Sequence, residues 1–245
     1  VEDIRSLAGF FQLSAADGGR RVVIVDTADD MNPQAANALL KMLEEPPARA
    51  TLLLVSHQPS ALLPTIRSRC RVLRLSTLGR EDMASALEQA GVEAGDTTAG
   101  LSELSGGSVG AAVRLSLLDG LQTYQSLLHL MGSLPRLDRA GAVKLAEAAA
   151  ARGAEAKRDL IFELLDLLLA RLARAGASGM PPDTEVIRGE AEVLMRLAPT
   201  PAAGRIWAEV AQETGTRARH GLAVNLDPAA LVLDTLFKIS QTRVS

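Results

Sequence analysis

The sequence predicts an α/β region followed by an all-α region, and three observations carry that prediction. Two continuous apolar runs, VVIVD at 22–26 and TLLLVS at 51–56, flank a segment with helical spacing. Runs of this kind suit central parallel strands covered on both faces. After Thr77 the apolar spacing becomes helical and stays so to the end. Aromatic residues are only 2% against 47% hydrophobic, so the cores must be built from Leu, Val, Ile and Ala, which favours helix packing over a β-sandwich.

The elements follow in order. Asn32 is placed to cap a helix with Pro33 at its first position, and Ala36, Leu39, Leu40 and Leu43 form one apolar stripe before Pro46 and Pro47 end it. Residues 60–69 read as one or two short helical turns interrupted by Pro64, and 71–76 as a third, more polar strand nearer an edge. Strand, helix, strand, short helix, strand implies a parallel sheet with flanking helices.

Three short helices follow at 78–90, 97–105 and from a Ser108 cap to about 118, with Gly91, Gly106 and Gly107 as terminators. Longer helices are expected at 120–131, 138–152, 155–175, 183–197, 201–219 and 228–241, with Asp138 and Asp227 as caps. Leu160, Ile161, Leu164, Leu165, Leu167, Leu168, Leu169 and Leu172 cover more than one stripe of their helix. Such a helix needs neighbours on most sides, as the centre of a bundle or as one that also docks on another subunit. Three segments result: 1–76, 77–118 and 119–245. The chain begins at Val1 and not at Met, which reads as a fragment whose N-terminal portion is missing.

Composition narrows the function classes. A net charge of -3 is not the footprint of a dedicated nucleic-acid-binding domain. The single Cys70 excludes a disulfide framework or a cysteine-rich zinc site within these residues, and fits a reducing compartment. The run at 160–170 is too short for a membrane span and is interrupted by Glu163 and Asp166. His57, His129 and His220 have no spacing that suggests a metal site. Asp26 alone reads as a strand-end carboxylate, and Glu44 and Glu45 as helix-end or interface acids and not as an acid–base pair.

The segment 37–70 is the most informative. It sets Arg69 just after an apolar strand, with no Gly-rich phosphate loop anywhere in these residues, which points to a chain that completes another subunit's active site. VVIVD, NALLKMLEEPP, LLLVSHQP and TIRSRCRVLRL together resemble the bacterial DNA polymerase III clamp-loader subunits, a branch of the AAA+ ATPases. The likeness continues through GGSVGAAVRL and more loosely along the helical tail. It implies a partial AAA+ parallel-sheet domain at 1–76, a helical lid at 77–118 and a helical collar at 119–245 through which subunits form a ring.

Within that family the residues resemble the delta prime branch, which does not hydrolyse ATP, more than the gamma/tau ATPases. Asp26 occupies the Walker B position, but the glutamate expected next is Thr27, whose hydroxyl is not a useful base for the attacking water. Gly110 stands where family ATPases carry the sensor 2 arginine, and Arg114 lies one turn further on. Ser56 and His57 occupy the sensor 1 position and discriminate little. The Walker A loop, and a zinc-binding cysteine cluster that the family allows, fall upstream of Val1.

The resemblance implies that Ser68, Arg69 and Cys70 are the SRC motif. Arg69 is then an arginine finger given in trans to ATP and Mg bound by a neighbouring gamma/tau subunit, the fragment binding no cofactor itself; the plain alternative is an ordinary surface arginine pairing with a carboxylate. Arg67, Arg71 and Arg74 form either a solvated face or a basic patch toward phosphates. The further partners implied are the delta subunit and, through the complex, the beta sliding clamp and primed DNA, in the cytoplasm with no membrane. The chain would be a component of the DNA polymerase III holoenzyme, a DNA-directed DNA polymerase (nucleotidyltransferase), without ATPase activity of its own. A gamma/tau-type ATPase with an atypical Walker B motif, and a helical scaffold unrelated to replication, are the alternatives.

Overall fold

The structure, a computed structural model, describes residues 6, 7, 9, 10, 19–46 and 48–242. The chain forms two compact units, 1–75 and 76–245.

In the first unit, β1 (Arg21–Val25) pairs in parallel with β2 (Ala50–Leu54), in a register that runs from Arg21 opposite Ala50 to Val25 opposite Leu54. The crossover is α1 (Pro33–Glu44), whose first turn is closed by Asn32 Oδ1 accepting from the Ala35 N–H at 2.9 Å. That cap and Pro33 at the first position follow directly from the local sequence. Pro46 does lie just past the helix, while Pro47 is outside the described residues. The apolar stripe of α1 buries Ala35, Ala36 and Leu39 with Leu52, Leu54 and Ile66, the last from α2 (Pro64–Arg67).

Two expectations fail here. Among the described residues the strands are covered on one face only: Val22, Ile24 and Leu53 alternate with the inward residues and are 50%, 65% and 46% exposed. Both α1 and α2 pack on the side of Leu52 and Leu54, so continuous apolar runs carried a two-sided reading that these helices do not satisfy. The third strand at 71–76 does not form, and Val72, Leu73 and Leu75 are 74%, 80% and 86% exposed. A strand exists only with a partner for its backbone groups, and among the described residues the sheet has two strands.

The second unit is helical: α3 (Arg80–Gln89), α4 (Thr98–Ser105), α5 (Val109–Leu117), α6 (Gly120–Gly132), α7 (Arg139–Ala150), α8 (Glu155–Ser178), α9 (Glu190–Leu197), α10 (Pro201–Ala223) and α11 (Pro228–Ser240). Side-chain oxygens of Ser108, Asp138, Thr200 and Asp227 accept from backbone N–H groups in the first turns of α5, α7, α10 and α11. The long α8 is the bundle's centre, with Leu160, Ile161, Leu164, Leu165, Leu168, Leu169 and Leu172 all buried against α6, α7, α9 and α10. One core runs without a break from Met83 on α3 to Ile239 on α11.

The helix expected from 183 begins only at Glu190. Gly189 adopts a left-handed φ of 87°, and the Glu190 carboxylate turns back to accept from the Val186 N–H at 2.7 Å. Those bonds hold the preceding residues as a loop. The same carboxylate, fully buried, accepts from Arg171 Nε at 2.7 Å and from the Tyr124 hydroxyl. Arg171 also donates to Glu103 on α4 at 2.6 Å and to the Thr184 carbonyl at 2.8 Å. One guanidinium thus joins α4, α8, α9 and the loop before α9.

Candidate functional site

The SRC triplet is built on the single turn of α2. Pro64 starts the turn with its φ already helical, and Ser68 N–H donates to the Pro64 carbonyl at 2.9 Å. Arg69 N–H and Cys70 N–H then close on the Ile66 and Arg67 carbonyls at 3.0 and 3.3 Å. Ile66 is wholly buried and Cys70 half-buried in the same core, so both ends of the turn are pinned. Burial pushes the Cys70 thiol above its ordinary pKa. Between these anchors Arg69 projects outward, its side chain 37% exposed.

The Arg69 guanidinium is engaged within its own unit. Nη1 donates to the Thr65 carbonyl at 3.0 Å and to Ser68 Oγ at 3.4 Å, and Nη2 lies 2.9 Å from Glu44 Oε1. Ser68 Oγ in turn donates to the Thr65 carbonyl at 3.1 Å. Arg67, Arg71 and Arg74 are exposed around it.

At the end of β1 the chain turns sharply. Thr27 has φ 51° and ψ 50°, a left-handed conformation that is an outlier for a β-branched residue, and its N–H donates to Asp26 Oδ1 at 2.9 Å. Two residues on, Asp29 Oδ1 and Oδ2 accept from the His57 and Gln58 N–H groups at 3.2 and 3.1 Å. Desolvation raises the Asp29 pKa, but backbone hydrogen bonds from Asp29 itself, His57 and Gln58 outweigh it and hold the carboxyl below its ordinary value. The loop after β1 and the loop carrying Ser56 and His57 are therefore tied together by Asp29. The enclosed Ser56 hydroxyl also helps lower the Asp29 pKa, although its geometry falls outside a full hydrogen bond.

In the second unit Gly110 is the second residue of α5, and a Cβ built there meets nothing within 4 Å. Arg114, one turn further, is paired with Glu163 of α8. Among the described residues no three His, Cys, Asp or Glu side chains converge as metal ligands.

Asp26, Thr27, Ser56, His57, Ser68, Arg69, Cys70 and Gly110 all lie within the described residues, and the structure adds two partners to them. Asp29 ties the His57 and Gln58 amides, and Glu44, read from the sequence as a helix-end or interface acid, pairs with Arg69. The only signal for Glu44 was its position: two acids at the negative end of a helix dipole break a local preference.

A parallel strand pair with a crossover helix, an outward arginine turn and a separate helical bundle define a mixed α/β and all-α protein. The family model described as "DNA polymerase III, delta subunit" matches residues 1–79. The chain is 59% identical over 70 residues to the DNA polymerase III subunit delta' of Pseudomonas aeruginosa, which covers 29% of this chain and 21% of that one. It is 35% identical over 139 residues to the Escherichia coli subunit delta', covering 56% of this chain and 42% of that one. It is also 39% identical over 88 residues to the Escherichia coli subunit tau, covering 36% and 14%. A solved gamma subunit-related protein from Thermotoga maritima aligns with 98% of this chain and 78% of its own at 24% identity, with a TM-score of 0.41.

Over these regions the chain is similar to DNA polymerase III delta' and tau subunits. Its matched regions span about a fifth to two fifths of the length of these delta' relatives. Among the described residues no helix is long and apolar enough to cross a membrane.

Proposed function

We propose that this chain is a delta prime-type subunit of a bacterial clamp loader, which gives Arg69 to the ATP site of an adjacent gamma/tau-type subunit. In this reading 1–76 is the remaining part of an AAA+ domain, 77–118 its helical lid and 119–245 the collar that holds the ring. The neighbour binds ATP and Mg, and the ring, with its delta subunit, loads the sliding clamp on primed DNA in the cytoplasm.

The single observation that carries the reading is the SRC turn, which pins Ile66 and Cys70 in the core and leaves a guanidinium at the surface. Phosphoryl transfer spreads charge over the γ-phosphate oxygens, and an arginine supplied in trans is worth roughly 10³–10⁵ in rate. Lysine lacks the planar fork that meets two oxygens together. The chain's own equipment for hydrolysis is poor. Thr27 has no carboxylate to orient water and is held in a left-handed turn, Gly110 has no side chain, and Arg114 is occupied by Glu163.

The likeness to a tau subunit keeps a gamma/tau-type ATPase as the second reading. Purified full-length protein assayed alone decides between them. The delta prime reading expects no ATP turnover above background, whereas tight ATP binding with hydrolysis by the isolated chain assigns the alternative. An unrelated helical scaffold is excluded if the full-length chain co-elutes with gamma/tau and delta subunits in size-exclusion chromatography, and is supported if it does not.

A further inference from the structure

We propose that Glu44 is a positioning residue that holds the Arg69 guanidinium in a resting pose, from which the phosphate oxygens of the neighbour's nucleotide displace it. The proposal rests on the arginine-finger reading above and adds a latch to it.

Three observations converge on the pair. Both terminal nitrogens of Arg69 are taken by the chain itself, Nη2 by Glu44 Oε1 at 2.9 Å and Nη1 by the Thr65 carbonyl at 3.0 Å and Ser68 Oγ at 3.4 Å. A bidentate grip on a phosphate needs two N–H groups on one edge of the fork, so the resting bonds on that edge must open first. Second, Glu44 is the last residue of α1 and Glu45 follows it, at the helix end whose dipole is negative. Placing carboxylates there works against local stability, and Arg69 is the cation that compensates Glu44. Third, the pair is weak enough to exchange, since the two side chains are 37% and 49% exposed. Solvated pairs of this kind bias an equilibrium by no more than about fivefold.

Electrostatics sets the direction of the effect. If the guanidinium met a triphosphate without leaving Glu44, two anionic groups would be crowded onto one small cation. The carboxylate must therefore yield, and the fraction of time Arg69 is free scales its apparent affinity for the neighbour's phosphates. A multiply charged phosphate wins the exchange, whereas a single surface carboxylate competes evenly with Glu44. The latch thus keeps the finger from pairing at random and lets it engage when a nucleotide-loaded neighbour is properly docked.

The test uses the full-length chain in a reconstituted loader and reads ATP turnover with and without clamp and primed DNA. Glu44→Gln keeps the size and removes the charge, and Glu44→Asp shortens the side chain as a second variant should the first fold poorly. Both are expected to raise unstimulated turnover by about two- to fivefold, with a smaller gain in the stimulated rate, where docking already displaces the carboxylate. The gain must vanish on an Arg69→Ala background. Damage to α1 lowers turnover, so a gain separates a latch from a structural role. Unstimulated turnover that is unchanged or reduced in both Glu44 variants overturns the latch, and if Arg69→Ala still abolishes stimulation the finger stands without it. Full stimulation in Arg69→Ala overturns the finger and the latch together.

Discussion

Arg69 is presented at the surface because its neighbours in the turn are not: Ile66 is wholly buried and Cys70 half-buried. The accessibility of Cys70 is therefore a readout of the turn. With its thiol pKa raised by burial, its thiolate fraction at pH 8 is below that of an ordinary cysteine, and alkylation by iodoacetamide should be slower than for a solvent-exposed thiol. Alkylation at the rate of a free thiol would mean that the turn is not packed. Asp29 makes a second prediction. Asp29→Ala removes the acceptor for the His57 and Gln58 N–H groups, so hydrogen exchange at those amides should accelerate. Because the Asp29 pKa is lowered on folding, its contribution is present above the unfolded carboxylate value and is lost as pH falls through the folded one. At this scale residue identity was legible and pairing was not. In the proposed reading, Thr27 and Gly110 are visible in the sequence as the positions that lack catalytic side chains. The left-handed backbone of Thr27 and the Glu44 contact depend on where the crossover helix returns the chain.

At the scale of elements, local chemistry predicted well and long-range chemistry did not. The caps Asn32, Ser108, Asp138 and Asp227 form as expected because each bond closes within its own first turn. The strand at 71–76 and the early start of α9 failed because a ladder partner and the turned-back Glu190 carboxylate are not local properties. The Arg171 cluster is the strongest test of the bundle. Arg171 is 7% exposed and Glu190 0%, so Arg171→Ala leaves a buried carboxylate without its cation and should cost about 3–5 kcal/mol, read as a fall in urea midpoint. Burial, the Glu190 charge and the Glu190 hydrogen bond raise the Tyr124 pKa far above the ordinary tyrosine range. Above about pH 10 the unfolded chain then loses a proton that the folded chain keeps, so stability should fall as pH rises. Tyr124→Phe should flatten that slope. A further close approach joins α8 and α10, where a Cβ on Gly204 would lie 2.6 Å from Ala177 N and one on Gly176 2.7 Å from the Gly204 Cα. Gly204→Ala must push the helices apart and should destabilise by about 1–3 kcal/mol in the same denaturation assay.

For the whole molecule, the order of an α/β region before a helical one was readable from the change of hydrophobic period at Thr77, and the structure divides into compact units at 75/76. The continuity of the second core was not readable, because it depends on Met83, Leu101 and Leu115 packing into one cluster with Leu127 and Leu164. Likeness to DNA polymerase III delta' and tau subunits, with Thr27 and Gly110 where the proposed reading expects catalytic side chains, supports the proposal that this chain serves a neighbour's ATP site. On that proposal the chain contributes catalysis to a neighbour and performs none itself. The most direct measurement is DNA- and clamp-stimulated ATP turnover by a loader reconstituted with the full-length Arg69→Ala chain, with ring assembly checked by size-exclusion chromatography. An intact ring is expected whose stimulated turnover is lower by about 10³ or more at the site Arg69 serves. An intact ring that hydrolyses ATP at the wild-type rate would contradict the proposal.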